Sequence, residues 1–408
     1  MPIPSLPIEL VRGIVSHLRT PLESDTHEAI EAGQALSLVC RGWYPIGQAL
    51  RWKDLRIDIA SVLSLLAHFD LHPHLPHYTQ YLAQSTYANS GEEDTPTTEG
   101  FSALPRLLTT LQELRSLYLS DVHLGLEPIF HAAADLPHLL HFICLVEQDL
   151  TWNNSFNTAF AQGFPSLRRF SFMTTRNLLS AVGTTYKPDS SPVKQLEYLA
   201  LSWGSFSTTD LIQSILSTMD LAALRSCFLA NGPAIIFPFG ALSSFPNLET
   251  LTISVIEFSV ASNFPALLSN LSKATSLKTL QYQIIPNKTL YASPLTLDAV
   301  FASFPSTLRL LQAPQLLLTK SDLSQDWPLA SRESRDGLCA VQGLIATSEG
   351  TRCVVFWRER GSKEKKGYHR ILEYTSWDEF KARYADHLSH KAEEAHSVSR
   401  LCRTSGST

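Results

Sequence analysis

The sequence predicts an α/β fold of stacked strand–turn–helix units, with parallel strands on a concave face and helices outside. Three observations predict it: a recurring strand pattern, helix-type periodicity between the strands, and an apolar helical segment near residue 6. The pattern apolar-x-x-apolar-x-apolar starts at eight places, 24 to 31 residues apart. These segments are LRSLYL at 114, LLHFIC at 139, LRRFSF at 167, LEYLAL at 196, LRSCFL at 224, LETLTI at 248, LKTLQY at 277 and LRLLQA at 308. One unit cannot bury its own apolar face, so neighbouring units are expected to stack.

The first element is a small helical module, assigned to residues 1–52. In LPIELVRGIVSHL, residues 6–18, Leu10, Ile14 and Leu18 recur at helical spacing. Pro7 suits the first helical turn, where its missing N–H leaves no bond unmade. ALSLVCRGW, residues 35–43, shows the i, i+3, i+4, i+7 spacing of an amphipathic helix. Such a module is too small to bury all of its apolar surface internally.

This module resembles the F-box. The resemblance rests on Leu6, Pro7, Glu9, Ile14, Leu18, Leu38, Val39, Cys40, Trp43 and Trp52. The insert between the helices, which includes ESDTHEAIEA, is longer than the family pattern has. The resemblance implies binding to a Skp-family adaptor through Leu6, Pro7, Ile8, Leu10, Ile14 and Trp43. The alternative is an ordinary helical cap on the domain that follows.

The recurring segments resemble leucine-rich repeats in period and pattern. The repeat domain is assigned to residues 53–320, with RWKDLRIDI at 51 and YTQYLA at 78 as degenerate first repeats. NSGEEDTPTTEG, residues 89–100, is predicted to be an acidic loop. Strand alternation places candidate substrate-binding side chains on the concave face. They are Tyr118, Arg169, Met173, Tyr198, Phe228 and Gln281, with Trp203 just beyond a strand end.

Residues 321–408 are predicted to cap the last repeat. CVVFWRER and YHRILEY read as a hairpin joined across GSKEKKG. SWDEFKARYADHL then begins with a capping-box pair, Ser376 and Glu379, and continues at helical spacing. Solenoids require such a cover at their ends.

Composition limits the class of function. The net charge of −5 gives no overall basic field for nucleic acid. The N-terminus has no basic segment followed by an apolar one, and no apolar run is long enough for a bilayer, so we expect neither a signal peptide nor a membrane span. The protein is expected in the cytoplasm, the nucleus or both. The six cysteines show no paired spacing of the zinc type and are expected to be structural thiols.

No enzyme constellation is found in the sequence. HFDLHPHLPHY holds His68, His72, His74 and His77, but Pro73 and Pro76 break the helix that a zinc pair would need. The S-x-x-K match at 362–365 lies in a charged segment without partner motifs. The same basic stretch reads more readily as a solvated loop than as a nuclear signal. No catalytic residue, cofactor or metal is expected.

The two resemblances together imply the substrate-recognition subunit of an SCF-type, cullin-RING ubiquitin ligase. The F-box would bind the adaptor, which joins the cullin scaffold, and the repeats would bind an unknown target protein. The chain itself would be non-catalytic, and neither nucleic acid nor a membrane is an expected partner. The alternative is a leucine-rich-repeat scaffold for protein interactions that has no role in a ligase.

Overall fold

The computed structural model shows an α/β protein with parallel strands and several helices. It describes residues 44–84, 98–122, 125–174, 178–180, 194–203, 215–231, 244–256, 273–285, 307–308, 310–318, 340–347, 350–360 and 369–374. The chain divides into two compact units between Leu224 and Arg225. Leu6, Pro7, Ile8, Leu10, Ile14 and Trp43, the predicted adaptor-binding residues, lie outside the described residues. The predicted domain boundaries at 52 and 320 stay predictions.

The first unit alternates strands with helices. Its described helices include α1 (Tyr44–Lys53), α2 (Val62–Leu71), α3 (Thr98–Thr110), α4 (Leu126–Ala134) and α5 (Asn154–Gln162). Its strands are β1 (Asp54–Ile57), β2 (Tyr81–Gln84), β3 (Ser116–Val122), β4 (His141–Val146), β5 (Leu150–Trp152), β6 (Arg169–Thr174), β7 (Leu178–Ser180) and β8 (Tyr198–Trp203). Strands β1, β2, β3, β4, β6 and β8 pair in that order, all parallel, while β5 and β7 form a separate parallel pair. The two degenerate segments near 51 and 78 are therefore strands of the same sheet.

The strand pattern buries one side of this sheet. The Cα partners across the sheet form a row of apolar residues: Leu55, Leu82, Leu117, Phe142, Phe170 and Leu199. From Leu82 to Leu199, every member of the row is at most 1 % exposed. Side chains alternate between the two faces of a strand, so the residues just before and after this row face the opposite side.

Aromatic rings fill the core between β4, β6 and the helices. This aromatic cluster consists of Phe130, Phe142, Trp152, Phe156, Phe160, Phe164, Phe170 and Phe172, all buried. The ring of Phe170 lies 4.8 Å from that of Phe160 and 5.9 Å from that of Phe142, measured between centroids. Helix α5 supplies Phe156 and Phe160 to this cluster, so the residue at which the helix begins determines where these rings lie. The Asn153 side chain caps the helix by accepting a 3.1 Å hydrogen bond from the Phe156 N–H.

Successive strands are also fixed by a shared backbone arrangement at their entry. The Arg115 carbonyl accepts bonds from the N–H groups of Leu140 and His141, at 2.8 and 3.0 Å. The Leu140 carbonyl in turn accepts from Arg168 and Arg169, at 2.8 and 2.9 Å. One acceptor thus binds two consecutive donors of the following strand, which sets the register of each pair.

The second unit also contains parallel strands. Strands β9 (Ser226–Asn231), β10 (Thr250–Ile256), β11 (Thr279–Ile285), β12 (Leu310–Leu318) and β13 (Ala340–Thr347) pair in parallel. Strands β14 (Gly350–Arg360) and β15 (His369–Tyr374) follow, each antiparallel to the strand before it. The Glu249 carbonyl accepts from Lys278 and Thr279, which is the entry arrangement seen in the first unit.

The C-terminal hairpin is confirmed, because β14 pairs antiparallel with β15 in the order expected for CVVFWRER and YHRILEY. The parallel strands, however, extend past residue 320 to β13, and β13 and β14 form a further hairpin that the sequence did not predict. The predicted helix over 376–388 lies outside the described residues.

The predicted acidic loop over 89–100 is wrong at its end. Thr98, Glu99 and Gly100 form the first turn of α3, and residues 89–97 lie outside the described part. Glycine at 100 reflects close packing rather than a turn, because a Cβ there would lie 2.3 Å from the Ile59 carbonyl oxygen. Glu99 also suits the positive N-terminal end of a helix. The loop-like composition of residues 89–100 therefore did not reveal that α3 begins within them.

Candidate functional site

One face of the first unit carries a row of polar side chains at the start of four neighbouring strands. Ser116, His141, Arg169 and Tyr198 are successive Cα partners on β3, β4, β6 and β8, and we call them the polar row. Strands in a sheet are about 4.8 Å apart, so each member lies beside the next. Arg169 is exposed and the other three are half-buried, whereas the residue that follows each of them is buried. The row therefore lies on the face opposite the aromatic cluster.

His141 is held in place within this row. Its Nδ1 lies 3.2 Å from the Ser116 hydroxyl oxygen. Partial burial lowers the pKa of His141, the positive charge of Arg169 lowers it further, and Glu197 opposes the shift. At neutral pH the imidazole is therefore mainly uncharged and offers one N–H donor.

The guanidinium of Arg169 is the main positive charge of the row. Its sequence neighbour Arg168 is already engaged, since Arg168 Nη1 lies 3.3 Å from the Gln195 carbonyl and 3.9 Å from the Glu197 carboxylate. Among the described residues, no carboxylate forms an ion pair with Arg169. A guanidinium in this state presents a fork of N–H donors that matches a carboxylate or phosphate.

Apolar side chains lie next to the polar row on the same face. Tyr118, Ile143 and Ser171 are Cα partners two residues further along their strands. Leu145 and Met173 are partners two residues beyond these. Tyr118, Ile143, Leu145 and Met173 are all half-buried, which leaves part of each side chain accessible. The face therefore combines a polar edge with an apolar middle, a combination typical of protein-binding surfaces.

The structure places the predicted substrate-binding residues in two groups. Tyr118, Arg169, Met173 and Tyr198 share the face just described. Phe228 and Gln281 belong to the second unit, where both are partners of Thr252, and Thr252 Oγ1 donates a 3.0 Å bond to Gln281 Oε1. Trp203, predicted just beyond a strand end, is instead the last residue of β8, and its side chain lies outside the described residues.

Sequence reasoning missed Ser116 and His141. They occupy the position directly before the second apolar residue of LRSLYL and LLHFIC, the same position that Arg169 and Tyr198 hold in their own segments. Aligning the segments by this position finds them.

A second surface feature lies on α1 and α2. The Trp52 ring stacks on that of His68 with centroids 5.3 Å apart, and the guanidinium carbon of Arg51 lies 5.6 Å above Trp52. The rings of His68 and His72 are 4.7 Å apart. Within the described residues, no three His, Cys, Asp or Glu side chains are placed to hold a metal ion. His68 thus packs against the Trp52 ring, and His72 packs against His68.

In the described part of the chain, no helix is long and apolar enough to cross a membrane. Comparison with protein-family models and with curated proteins gives no significant match. The function is therefore inferred from the sequence motifs and from the geometry of the sheet.

Proposed function

We propose that this protein is the substrate-recognition subunit of an SCF-type, cullin-RING E3 ubiquitin ligase. Residues 1–43 would form most of an F-box that binds a Skp-family adaptor, and the repeated strands would be a leucine-rich-repeat solenoid that holds the target protein. Catalysis would take place on other subunits. The chain would act by raising the effective concentration of the target near the charged ubiquitin carrier.

The observation that carries the solenoid part of this proposal is the in-register ladder of strands. Leu117, Phe142, Phe170 and Leu199 come from four successive sequence repeats and are direct partners in the sheet. Stacked repeats of this kind present one continuous row of side chains for every position of the repeat. Such surfaces suit extended contact with another protein better than they suit a small-molecule pocket.

The F-box part rests on the residue set of the N-terminal segment and is tested by capture of the adaptor. The test variant carries Ile8→Asp and Ile14→Asp in the full-length chain, because a carboxylate forced into an apolar contact costs several kcal/mol. The control variant carries Ser16→Asp, which adds one charge at a polar position of the same segment. We expect purified adaptor to bind the wild type and the control and to be lost from the double variant.

Circular dichroism of each variant separates loss of contact from loss of folding. A double variant that keeps the wild-type spectrum and captures adaptor with wild-type affinity would contradict the F-box assignment. A wild-type chain that captures neither adaptor nor cullin would contradict the ligase role as a whole.

The alternative, a scaffold whose N-terminal helices serve as a cap, is favoured by two hydrogen bonds. The Trp52 carbonyl accepts a 3.0 Å bond from the Thr79 hydroxyl, and the Lys53 carbonyl accepts a 2.9 Å bond from the Gln80 N–H. Helix α1 is thus bonded to the segment that leads into β2. A deletion that ends at residue 43 keeps these bonds, whereas a deletion of residues 1–52 removes most of α1.

The two deletions therefore distinguish a detachable adaptor module from a cap. If residues 1–43 are an F-box, their deletion abolishes adaptor capture and leaves a cooperative thermal transition at nearly the wild-type midpoint. If they are a cap, the same deletion lowers the midpoint as strongly as the deletion of residues 1–52 does.

A further inference from the structure

The polar row and the apolar side chains beside it suggest what kind of segment the first unit binds. Three successive positions on this face are two strand residues apart, which is roughly 6.6 Å along the strand. The first is Arg169, the second is the partner pair Ile143 and Ser171, and the third is the partner pair Leu145 and Met173. An extended peptide that lies along the strands has the same step between its residues i, i+2 and i+4. The face thus offers a charged contact followed by two apolar contacts at peptide spacing.

The charge of this face matches a singly charged anion. Arg169 has no carboxylate partner among the described residues, while Arg168 is engaged by Glu197 and the Gln195 carbonyl. His141 is mainly neutral at pH 7 and adds a hydrogen-bond donor but little charge. Two further arginines near this face are exposed: Arg115 belongs to the entry of β3, two strands away from β6, and Arg56 lies on β1, four strands away from β6. Among the residues that the structure describes, the Arg169 guanidinium is therefore the one without a carboxylate partner at this point of the sheet, and it matches one carboxylate.

We infer that this face binds an acidic segment of a target protein, with the pattern acidic-x-apolar-x-apolar. Arg169 binds the carboxylate of the Asp or Glu, and Ile143, Leu145 and Met173 contact the apolar side chains that follow it. This inference rests on the protein-binding role proposed above, and it adds the chemistry that selects the target. Ser116 positions His141, which lines the site beside Arg169.

A random peptide library displayed on phage and selected on the immobilised full-length chain tests the inference directly. We expect the wild type to enrich peptides with Asp or Glu two residues before an apolar residue. The same selection on the Arg169→Glu chain should lose the acidic preference. An acidic preference that persists on Arg169→Glu overturns the inference, and so does a wild-type selection that enriches no peptide.

Fluorescence anisotropy with the best enriched peptide then measures the contribution of each contact. Arg169→Ala should weaken binding about 10-fold or more, because a hydrogen bond to a charged group contributes about that factor. Arg106→Ala is the matched control, since Arg106 is an exposed arginine of the same unit that pairs with Asp70 at 2.9 Å on another surface. Met173→Lys should weaken binding as well. Equal affinities for the wild type and Arg169→Ala would refute the contact.

Failure of this inference can be told apart from failure of the ligase proposal. Arg169→Glu lies on the sheet and should leave adaptor capture unchanged, whereas the Ile8→Asp and Ile14→Asp variant should leave peptide binding unchanged. Thermal midpoints near that of the wild type show that each variant is folded. A peptide with phosphoserine in place of the acidic residue tests whether the site prefers a phosphate. Tighter binding of that peptide than of the Glu peptide would overturn the inference that Arg169 selects a carboxylate.

Discussion

Replacing Phe170 with alanine should be among the most destabilising single changes in the first unit. Its side chain is fully buried, and its ring centroid lies between 4.8 and 6.4 Å from those of Phe130, Phe142, Phe160 and Phe172. Rings on β4, β6, α4 and α5 surround the site, so the structure cannot easily close the cavity. Phe→Ala changes of this kind cost about 3–5 kcal/mol, a large share of the 5–15 kcal/mol that stabilises a typical domain.

Urea titration followed by circular dichroism and tryptophan fluorescence measures this loss. With a urea dependence of about 2 kcal/mol per molar, the midpoint should fall by about 2 M. The control is Arg169→Ala, one residue earlier on the same strand but on the exposed face, where substitutions change stability by about 0.5 kcal/mol or less. Equal midpoints for the two variants would refute the strand register and the assignment of faces that follows from it.

Three other outcomes follow from buried groups. Gly100→Ala should lower the melting temperature despite the higher helix propensity of alanine, because its Cβ would collide with the Ile59 carbonyl; a raised melting temperature would contradict the close packing of α3. Burial lowers the pKa of Lys194 from 10.5 to about 8, so the unfolded chain holds more protons between these values and stability should rise with pH across that window. Lys194→Met should flatten that rise relative to the wild type in urea titrations at several pH values, and an unchanged slope would count against burial of the ammonium. Burial raises the pKa of the Cys144 thiol, and that of Cys227 to about 12, so mass spectrometry should find both unmodified by iodoacetamide in the folded protein and modified in urea.

The sheet of the first unit was largely predictable from the sequence, because its signal is local and repeated. A strand buried on one side shows alternate apolar residues, and the repeat fixes which residues of successive strands become partners. Leu117 and Leu199 therefore lie in one buried row, and Tyr118 and Arg169 lie on the opposite face, as the pattern indicated. The C-terminal hairpin followed from two strand-like segments on either side of the charged sequence GSKEKKG.

Other features depend on contacts between residues far apart in the chain, and only the tertiary structure determined them. Gly100 reads as a loop residue until Ile59 is seen packed against it. Lys194 reads as a surface charge, yet its ammonium donates to the Gly163 carbonyl beside the Phe160 ring. The pairing of His141 with Ser116 is likewise invisible in the sequence, and so is the absence of a carboxylate partner for Arg169 among the described residues. Hydrogen bonds and ion pairs depend on which side chains the fold brings within a few ångströms. Periodicity determined the strands and their faces; the chemistry of those faces was decided by packing across the repeats.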